Sequence, residues 1–288
     1  ISLHDEVLDK SKNNYLAAVF FGKKQGVAFL DISTGDFLVS EGSLNDIKKL
    51  INSFSPSEIL YPKSERNTVC EKISENFYLY PIEDWIFEKQ YCLEKLVDQF
   101  STQNLKGFGI NYMNEGVIAA GVILHYLNQN KQNQLNHITN IKRIETGDYV
   151  WMDKFTIRNL ELLYPSNEGG VSLFDVINYT CTPMGSRMLR NWILFPLKNE
   201  THIKKRLDIV SFFFKNSTKL TQSIKILKDI GDLDRMVGKI STLRISPREL
   251  NKFKDSLILA DDLRHLLATQ SESNIMFDLF ANYYDVNR

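Results

Sequence analysis

Residues 180–197 read TCTPMGSRMLRNWILFPL, a segment punctuated by two prolines. Thr182 is a residue type that caps helix N-termini, and Pro183 fits the first helical turn. Pro196 then ends the helix, because proline cannot donate a backbone hydrogen bond. Apolar side chains recur at helical spacing between these limits. They predict one packed face formed by Met184, Met188, Leu189, Trp192 and Ile193.

The opposite face of this helix carries Arg187, Arg190 and Asn191, and Gly185 lies in its first turn. Glycine, serine and arginine at a helix N-terminus can hold a phosphate, because the free N–H groups there attract anions. The continuous apolar face favours a packed helix instead, with Gly185 allowing another backbone to approach closely. The two arginines are either solvated or paired with carboxylates of a neighbouring domain, without which they would be loose.

The chain that follows this helix is patterned almost wholly as helices. Helices are predicted near residues 200–216, 218–229 and 232–243, and a long one begins at Ser246-Pro247-Arg248-Glu249, where serine caps, proline starts and glutamate completes a capping box. Lys204-Lys205-Arg206 is the densest basic run, but on a helix its side chains point in different directions. We interpret that run as a solvated face, with Leu207, Ile209, Val210 and Phe213 as the packing stripe and the run Phe212–Phe214 as core.

The chain before the opening segment alternates strands and helices. Residues 15–21, 26–33 and 36–41 predict three strands joined by short turns, an antiparallel meander. A helix beginning at Ser43, a fourth strand at 57–62 and later helices then predict a three-layer α/β domain over residues 1–130. Residues 131–152 are mostly polar and are predicted to be a linker, with IKRIE as a short extended piece and YVWMD as a last strand. Residues 153–288 form the all-α part.

Composition places the chain among ordinary globular proteins. It has 288 residues, 43% hydrophobic and 24% charged, with a formal net charge of zero. Its three cysteines have no metal-ligand spacing, and no apolar run reaches the roughly 18 residues that a membrane span needs. We therefore expect a cytoplasmic protein that does not associate with membranes. The chain starts at Ile1 rather than methionine, and we expect a fragment of something longer.

Sequence motifs for catalysis are missing. The nucleotide-binding pattern GxxxxGK[ST] and the hydrolase patterns GxSxG and HExxH do not occur. A metal-dependent nuclease with such a sheet would need clustered carboxylates, yet the first strand, YLAAVFF, has none. Asp31 and Asp36 flank a turn, where acids are common for conformational reasons. We therefore predict no catalytic, cofactor-binding or metal-binding residue.

The opening segment also carries a family resemblance. Residues 182–192, TPMGSRMLRNW, resemble the signature at the start of the core domain of the MutS family of bacterial DNA mismatch-repair proteins. Further segments agree in the same order along the chain: LDISTGDF at 30–37, MD at 152–153 with RNLEL at 158–162, GDLDR at 231–235 and SPREL at 246–250.

This resemblance implies a ribonuclease-H-like connector domain at 1–130, followed by the first, incomplete part of a helical core or lever domain at 153–288. It implies a structural and signal-relay role that couples mismatch binding to an ATPase and docks MutL. We do not expect the fragment itself to be an enzyme or to bind a cofactor. ATP, Mg²⁺, mismatched double-stranded DNA and homodimer formation are implied for the full-length protein.

Two sets of residues follow from the resemblance. The core signature comprises Thr182, Pro183, Gly185, Arg187 and Arg190. The candidate docking surface for MutL is the polar face of the helix predicted at 88–100, with Glu94, Lys95 and Asp98. Two alternatives stay open, namely a MutS homologue that acts in recombination and a metal-dependent ribonuclease-H-like nuclease.

Overall fold

The computed structural model of the chain describes residues 9–73, 77–130, 135–144, 147 and 149–268. Within these residues, the first part of the chain is built on a six-stranded mixed sheet. Its strands are β1 (Tyr15–Phe21), β2 (Gln25–Asp31), β3 (Asp36–Gly42), β4 (Glu58–Pro62), β5 (Leu79–Ile82) and β6 (Lys142–Arg143). The strands lie in the order β5-β4-β1-β2-β3-β6.

Strands β1, β2 and β3 form the antiparallel meander that the sequence predicts. Thr34 and Gly35 make the tight turn between β2 and β3, with Gly35 at a φ of 75° that favours glycine. Strand β4 lies parallel to β1, β5 lies parallel to β4, and β6 lies parallel to β3. The sheet is therefore mixed, with its most apolar strand near the centre, where both faces are covered.

Helices cover both faces of this sheet. They are α1 (Leu44–Phe54), α2 (Arg66–Lys72), α3 (Lys89–Gln99) and α4 (Asn114–Gln129). One core lies between the sheet and the α3–α4 pair, and a second lies between the sheet and α1 with α2. Ser43 and Asp46 form the reciprocal capping box that starts α1. The first part is thus an α/β domain of three layers.

Two glycines set how closely these layers approach. A Cβ atom at Gly26 of β2 would lie 2.1 Å from the backbone carbonyl of Glu115, so only glycine lets α4 begin against the strand. A Cβ atom at Gly121 of α4 would lie 2.4 Å from Cβ of Cys92 in α3. Both positions require glycine for packing rather than for an unusual φ.

The segment predicted as a linker packs on this domain over part of its length. Leu135, Ile138 and Ile141 are buried in the core that α4 shares with the sheet. Gln99 donates to the carbonyl oxygens of Leu135 and Ile138, at 2.8 and 3.0 Å. The piece IKRIE supplies β6, whereas YVWMD forms a single bridge, Tyr149 to Leu197, in place of the predicted strand. Burial of these three apolar side chains, spaced three residues apart, thus holds this part of the segment on the domain although the residues around them are polar.

The second part of the chain is helical. Its helices are α5 (Lys154–Asn159), α6 (Leu173–Ile177), α7 (Pro183–Leu194), α8 (Glu200–Lys215), α9 (Ser217–Asp229), α10 (Leu233–Ser241) and α11 (Pro247–Ala268). A small core of Leu162, Leu163, Phe174, Leu194 and Phe195 joins α6 and α7. The Phe195 ring also packs against the Phe54 ring of the first part, with centroids 5.0 Å apart and planes inclined by 32°. The two parts therefore share an aromatic contact.

Helix α8 differs from the prediction made for it. The residues Leu207, Ile209, Val210 and Phe213 were expected to pack and Phe212–Phe214 to be core, but α8 has no buried residue. Phe214 is 88% exposed and Val210 is 63% exposed. Apolar periodicity marks a face that favours burial, but the described elements that contact α8, among them Trp192 of α7 and Lys219 of α9, do not bury that face.

Candidate functional site

Helix α7 lies where the two parts of the chain meet, and it begins as its sequence predicts. The Thr182 hydroxyl accepts a hydrogen bond from the Gly185 backbone N–H at 3.0 Å, and Pro183 occupies the first turn. A Cβ atom at Gly185 would meet side-chain atoms of Thr182 and Thr180, at 3.1 and 3.4 Å. The tight neighbours of Gly185 are therefore local side chains, not the backbone of another element that the sequence led us to expect.

Arg187 is buried at the centre of this junction, with only 4% of its surface exposed. Its guanidinium binds Asp232 through two hydrogen bonds, at 2.7 and 2.8 Å, and Asp234 at 2.9 Å. Burial alone would lower the pKa of Arg187, but the hydrogen bonds and charges of Asp232 and Asp234 raise it above its ordinary value. Arg187 is thus a fixed cation in a bidentate ion pair rather than a solvated side chain.

The junction extends from Arg187 to the segment that precedes β1. The Arg187 guanidinium donates to the carbonyl oxygen of Lys10 at 3.3 Å. Arg235 of α10 is also buried and donates to the carbonyl oxygens of Asp9 and Lys12, at 2.9 and 2.8 Å. Two arginines of the helical part therefore donate hydrogen bonds to the backbone of one short segment, which we name the strap (residues 9–13).

A second contact joins α10 to the turn between β2 and β3. A Cβ atom at Gly238 would lie 2.5 Å from the carbonyl oxygen of Ser33, so α10 can approach the turn only through a glycine. His137 donates through Nε2 to the carbonyl oxygen of the neighbouring Ile32 at 2.7 Å, so Nε2 carries the proton. Burial lowers the pKa of His137, so the neutral form is favoured.

Arg190 lies on the partly exposed side of α7. It donates to the Tyr164 hydroxyl at 2.7 Å, and its guanidinium lies over the rings of Tyr164 and Phe174. Met188 and Trp192, predicted to be packed, are 56% and 43% exposed, and Arg206 lies 3.7 Å from the centroid of the Trp192 ring. The predicted face is therefore wrong for Met188 and Trp192, whereas Leu189 and Ile193 pack against the small core as predicted.

Of the two alternatives for the arginines, Arg187 follows the one in which carboxylates pair with it, whereas Arg190 contacts aromatic side chains. Asp232 and Asp234 lie in the GDLDR segment of this same chain and supply the carboxylates. No local pattern in the sequence connects that segment with α7. Asp232 also caps α10 by accepting from the Arg235 N–H, so the acids sit where a helix start favours negative charge.

The predicted docking residues share one helix of the first part. Glu94 and Asp98 of α3 are exposed, and Lys95 is half-buried with its ammonium 5.4 Å from the Tyr91 ring centroid. Gln90 donates to the Glu94 carboxylate at 2.9 Å, while Cys92 and Leu96 on the other side of α3 are buried against α4. The structure brings these three charges to one surface, well separated in sequence from the arginines of the junction.

The acids of the meander are occupied by protein donors. Asp31 is fully buried and accepts from Asn13, the Asn14 N–H and Ser33. Asp36 accepts from the Tyr15 hydroxyl at 2.7 Å, and burial raises the pKa of Asp36. Across the residues that the structure describes, no group of three histidine, cysteine, aspartate or glutamate side chains is arranged to hold a metal ion. Nor does any described helix have the length and apolarity to cross a membrane.

Comparison with known proteins places both parts of the chain. The family model described as MutS domain II matches residues 14–139, and the one described as MutS domain III matches residues 155–282. DNA mismatch repair protein MutS of Flavobacterium psychrophilum is 48% identical over 258 residues, which are 89% of this chain and 30% of that protein. The MutS proteins of Cytophaga hutchinsonii and Phocaeicola vulgatus are 45% and 44% identical, over 94% and 92% of this chain and 32% and 31% of theirs.

The chain therefore spans about a third of the length of these relatives. The two family models match in the order α/β part and then helical part, as the fold requires. The chain belongs to the MutS family of DNA mismatch-repair proteins, of which it carries domains II and III.

Proposed function

We propose that this chain is the structural and signal-relay portion of a mismatch-repair protein, and that it couples mismatch binding to an ATPase. The observation that carries the proposal is the junction, where Arg187 and Arg235 of the helical part hold the strap of the α/β part. A displacement of the strap would act directly on α7 and α10. We expect the whole protein to bind ATP and Mg²⁺, to contact mismatched double-stranded DNA and to form a homodimer. We expect it to act in the cytoplasm.

The α/β part supports a ribonuclease-H-like connector in this role. Its strand order β5-β4-β1-β2-β3, with an antiparallel meander followed by two parallel strands, is the arrangement such a fold would have. We assign no catalytic step to the chain itself. The matched domains II and III lack the ATPase domain, and the carboxylates of Asp31 and Asp36 accept hydrogen bonds from protein donors. The names of the relatives favour repair over recombination.

The docking part of the proposal places MutL on α3. Glu94, Lys95 and Asp98 present charges of both signs on one exposed helix face, and such charges set the partner and the register of an interface. The Lys95 ammonium is already oriented by the Tyr91 ring, which lowers the entropy lost when it is fixed by a partner.

A binding measurement tests the docking surface. MutL of the same organism is passed over the immobilised 288-residue chain, and the double variant Glu94→Lys/Lys95→Glu is compared with the original. We expect at least about tenfold weaker binding, the equivalent of about 1.4 kcal/mol, although the net charge is unchanged. The matched control is Glu200→Lys/Lys204→Glu, which swaps an exposed ion pair on α8.

The outcomes separate the parts of the proposal. Equal binding by the original chain and the α3 variant places the docking surface elsewhere. Equal losses in the α3 variant and the α8 control point to long-range charge rather than to contact at α3. A chain that does not bind MutL at all leaves only the structural relay role.

A further inference from the structure

Trp85 lies on the short turn that directly precedes α3, and its ring points outwards. The side chain is 62% exposed, whereas the next two side chains, Ile86 and Phe87, are buried in the core that α3 and α4 share with the sheet. Tryptophan is usually largely buried in folded proteins. The turn therefore presents this ring to the surroundings while its two neighbours hold the backbone in place.

Two rings behind Trp85 fix its orientation. The Trp85 ring packs edge-on against Tyr91 of α3 and His125 of α4, with centroids 5.6 and 5.8 Å apart. The Tyr91 hydroxyl and Nδ1 of His125 are hydrogen-bonded at 2.6 Å, so the two supporting rings are also fixed to each other. An aromatic side chain that is already held in one orientation loses little conformational entropy when a partner covers it. Trp85 is thus a preorganised contact residue.

The ring of Trp85 is continuous with the docking surface proposed on α3. The Tyr91 ring that Trp85 contacts also lies 5.4 Å from the Lys95 ammonium. Next to Lys95, the Glu94 carboxylate accepts a hydrogen bond from Gln90 at 2.9 Å. The aromatic ring and the charges of α3 therefore form one surface, with Tyr91 between them.

The charges that surround Trp85 are mainly negative. Residues 83–98 contain five acidic and two basic side chains. Lys63 pairs with one of the acids, Glu83, at 3.0 Å, so four acids remain against two bases. These four are all exposed: Asp84, Glu88, Glu94 and Asp98. An exposed aromatic ring within a negative surface complements an apolar pocket that has a positive rim.

We propose that Trp85 is the anchor of the MutL interface on α3, and that its ring enters an apolar pocket of MutL whose rim carries lysine or arginine. Tryptophan is among the residues that most often dominate the energy of a protein interface, with weaker contacts arranged around it. This inference rests on the proposed docking of MutL at α3. It adds the residue that supplies most of the binding energy and the chemistry of the MutL surface that receives it.

Binding of MutL to the immobilised 288-residue chain tests the anchor. Trp85→Ala should weaken binding at least about 30-fold, and Trp85→Phe, which keeps a smaller ring, should weaken it less. The matched control Trp192→Ala removes a tryptophan of α7 that is 43% exposed, and it should leave the affinity within about twofold of the original. Circular dichroism confirms that each variant is folded.

Hydroxyl-radical footprinting gives a second measurement that needs no substitution. The chain is oxidised with and without MutL, and the modification of each tryptophan is followed by peptide mass spectrometry. MutL should protect Trp85 from oxidation and leave Trp192 as reactive as before.

The outcomes separate the anchor from the docking surface. If the charge swap at Glu94 and Lys95 weakens binding but the folded Trp85→Ala variant binds normally, or if Trp85 stays unprotected, the anchor is wrong and the docking surface is retained. A loss with Trp85→Ala but none with the charge swap supports the anchor and removes the α3 charges from the interface. If the chain does not bind MutL, both proposals fail.

The salt dependence of binding tests the basic rim. Raising sodium chloride from about 50 to about 300 mM should weaken the binding of MutL at least about threefold, because salt screens the attraction between opposite charges. An unchanged affinity would contradict a basic rim on MutL.

Discussion

Replacement of Arg187 by leucine tests whether the ion pair at the junction holds the two parts of the chain together. The leucine side chain fills part of the same space on α7 but cannot bind a carboxylate. It removes the two hydrogen bonds to Asp232, the one to Asp234 and the one to the Lys10 carbonyl. We expect lower stability and a freed strap.

The size of the effect follows from the exposure of the two acids. Removing one partner of a buried ion pair costs about 3–5 kcal/mol, because the other charge stays buried without compensation. The Asp234 side chain is 50% exposed and regains water, whereas the Asp232 side chain is 16% exposed and regains little. The loss therefore lies near the lower limit, about 3 kcal/mol. For a chain of this size it lowers the melting temperature by roughly 6–12 °C.

Urea unfolding followed by circular dichroism measures the loss, and hydrogen exchange of residues 9–13 reports on the strap. The matched control is Arg190→Leu, on the same helix. It removes the hydrogen bond to the Tyr164 hydroxyl and the cation–π contacts with Tyr164 and Phe174, and should cost about 1–2 kcal/mol without altering exchange in the strap. If both variants unfold at the same urea concentration, or if residues 9–13 exchange at the original rate in Arg187→Leu, the ion pair does not fix the junction.

Two further predictions concern the α3–α4 contact and the cysteines. Gly121→Ala should destabilise the chain by about 1–3 kcal/mol, because a Cβ atom there collides with Cys92. The control Gly107→Ala should not destabilise it, because no atom lies within 4 Å of the new Cβ atom. Equal urea midpoints for the two variants would contradict this packing argument. Burial raises the pKa of the Cys92 thiol to about 12. At pH 8, Ellman's reagent should therefore modify the exposed Cys70 at least about 100-fold faster than Cys92, as followed by peptide mass spectrometry. Similar rates for the two cysteines would show that Cys92 is accessible.

The limits of α7 could be predicted from the sequence because its start and end signals are local. A capping threonine, a proline in the first turn and a second proline beyond the end lie within eighteen residues. The same holds for the capping box of Ser172 and Asp175, which starts α6. Such signals act between residues a few positions apart, so no knowledge of the tertiary structure is needed to interpret them.

The orientation of α7 could not be predicted in this way. Hydrophobicity assigns Met188 and Trp192 to the core and Arg187 to the surface, and the structure reverses the assignment. The carboxylate that decides the matter, Asp232, lies 45 residues further along the chain. A buried cation is stable only with its partner in place, and no periodicity within one helix reveals a partner in another. Arg187 and the acids of the GDLDR segment indicate an ion pair only when the two segments are considered together.

The chemistry of the junction bears on how a displacement would pass through it. An apolar contact tolerates sliding, because hydrophobic burial is not directional. The strap is held instead by hydrogen bonds from Arg187 and Arg235 to backbone carbonyls, which weaken steeply with small changes in distance and angle. Because Asp232 fixes the Arg187 guanidinium and also caps α10, movement of the strap cannot be absorbed by one side chain alone. It must either break these bonds together or carry α7 and α10 with it, and both responses link the segment before β1 to the helical part.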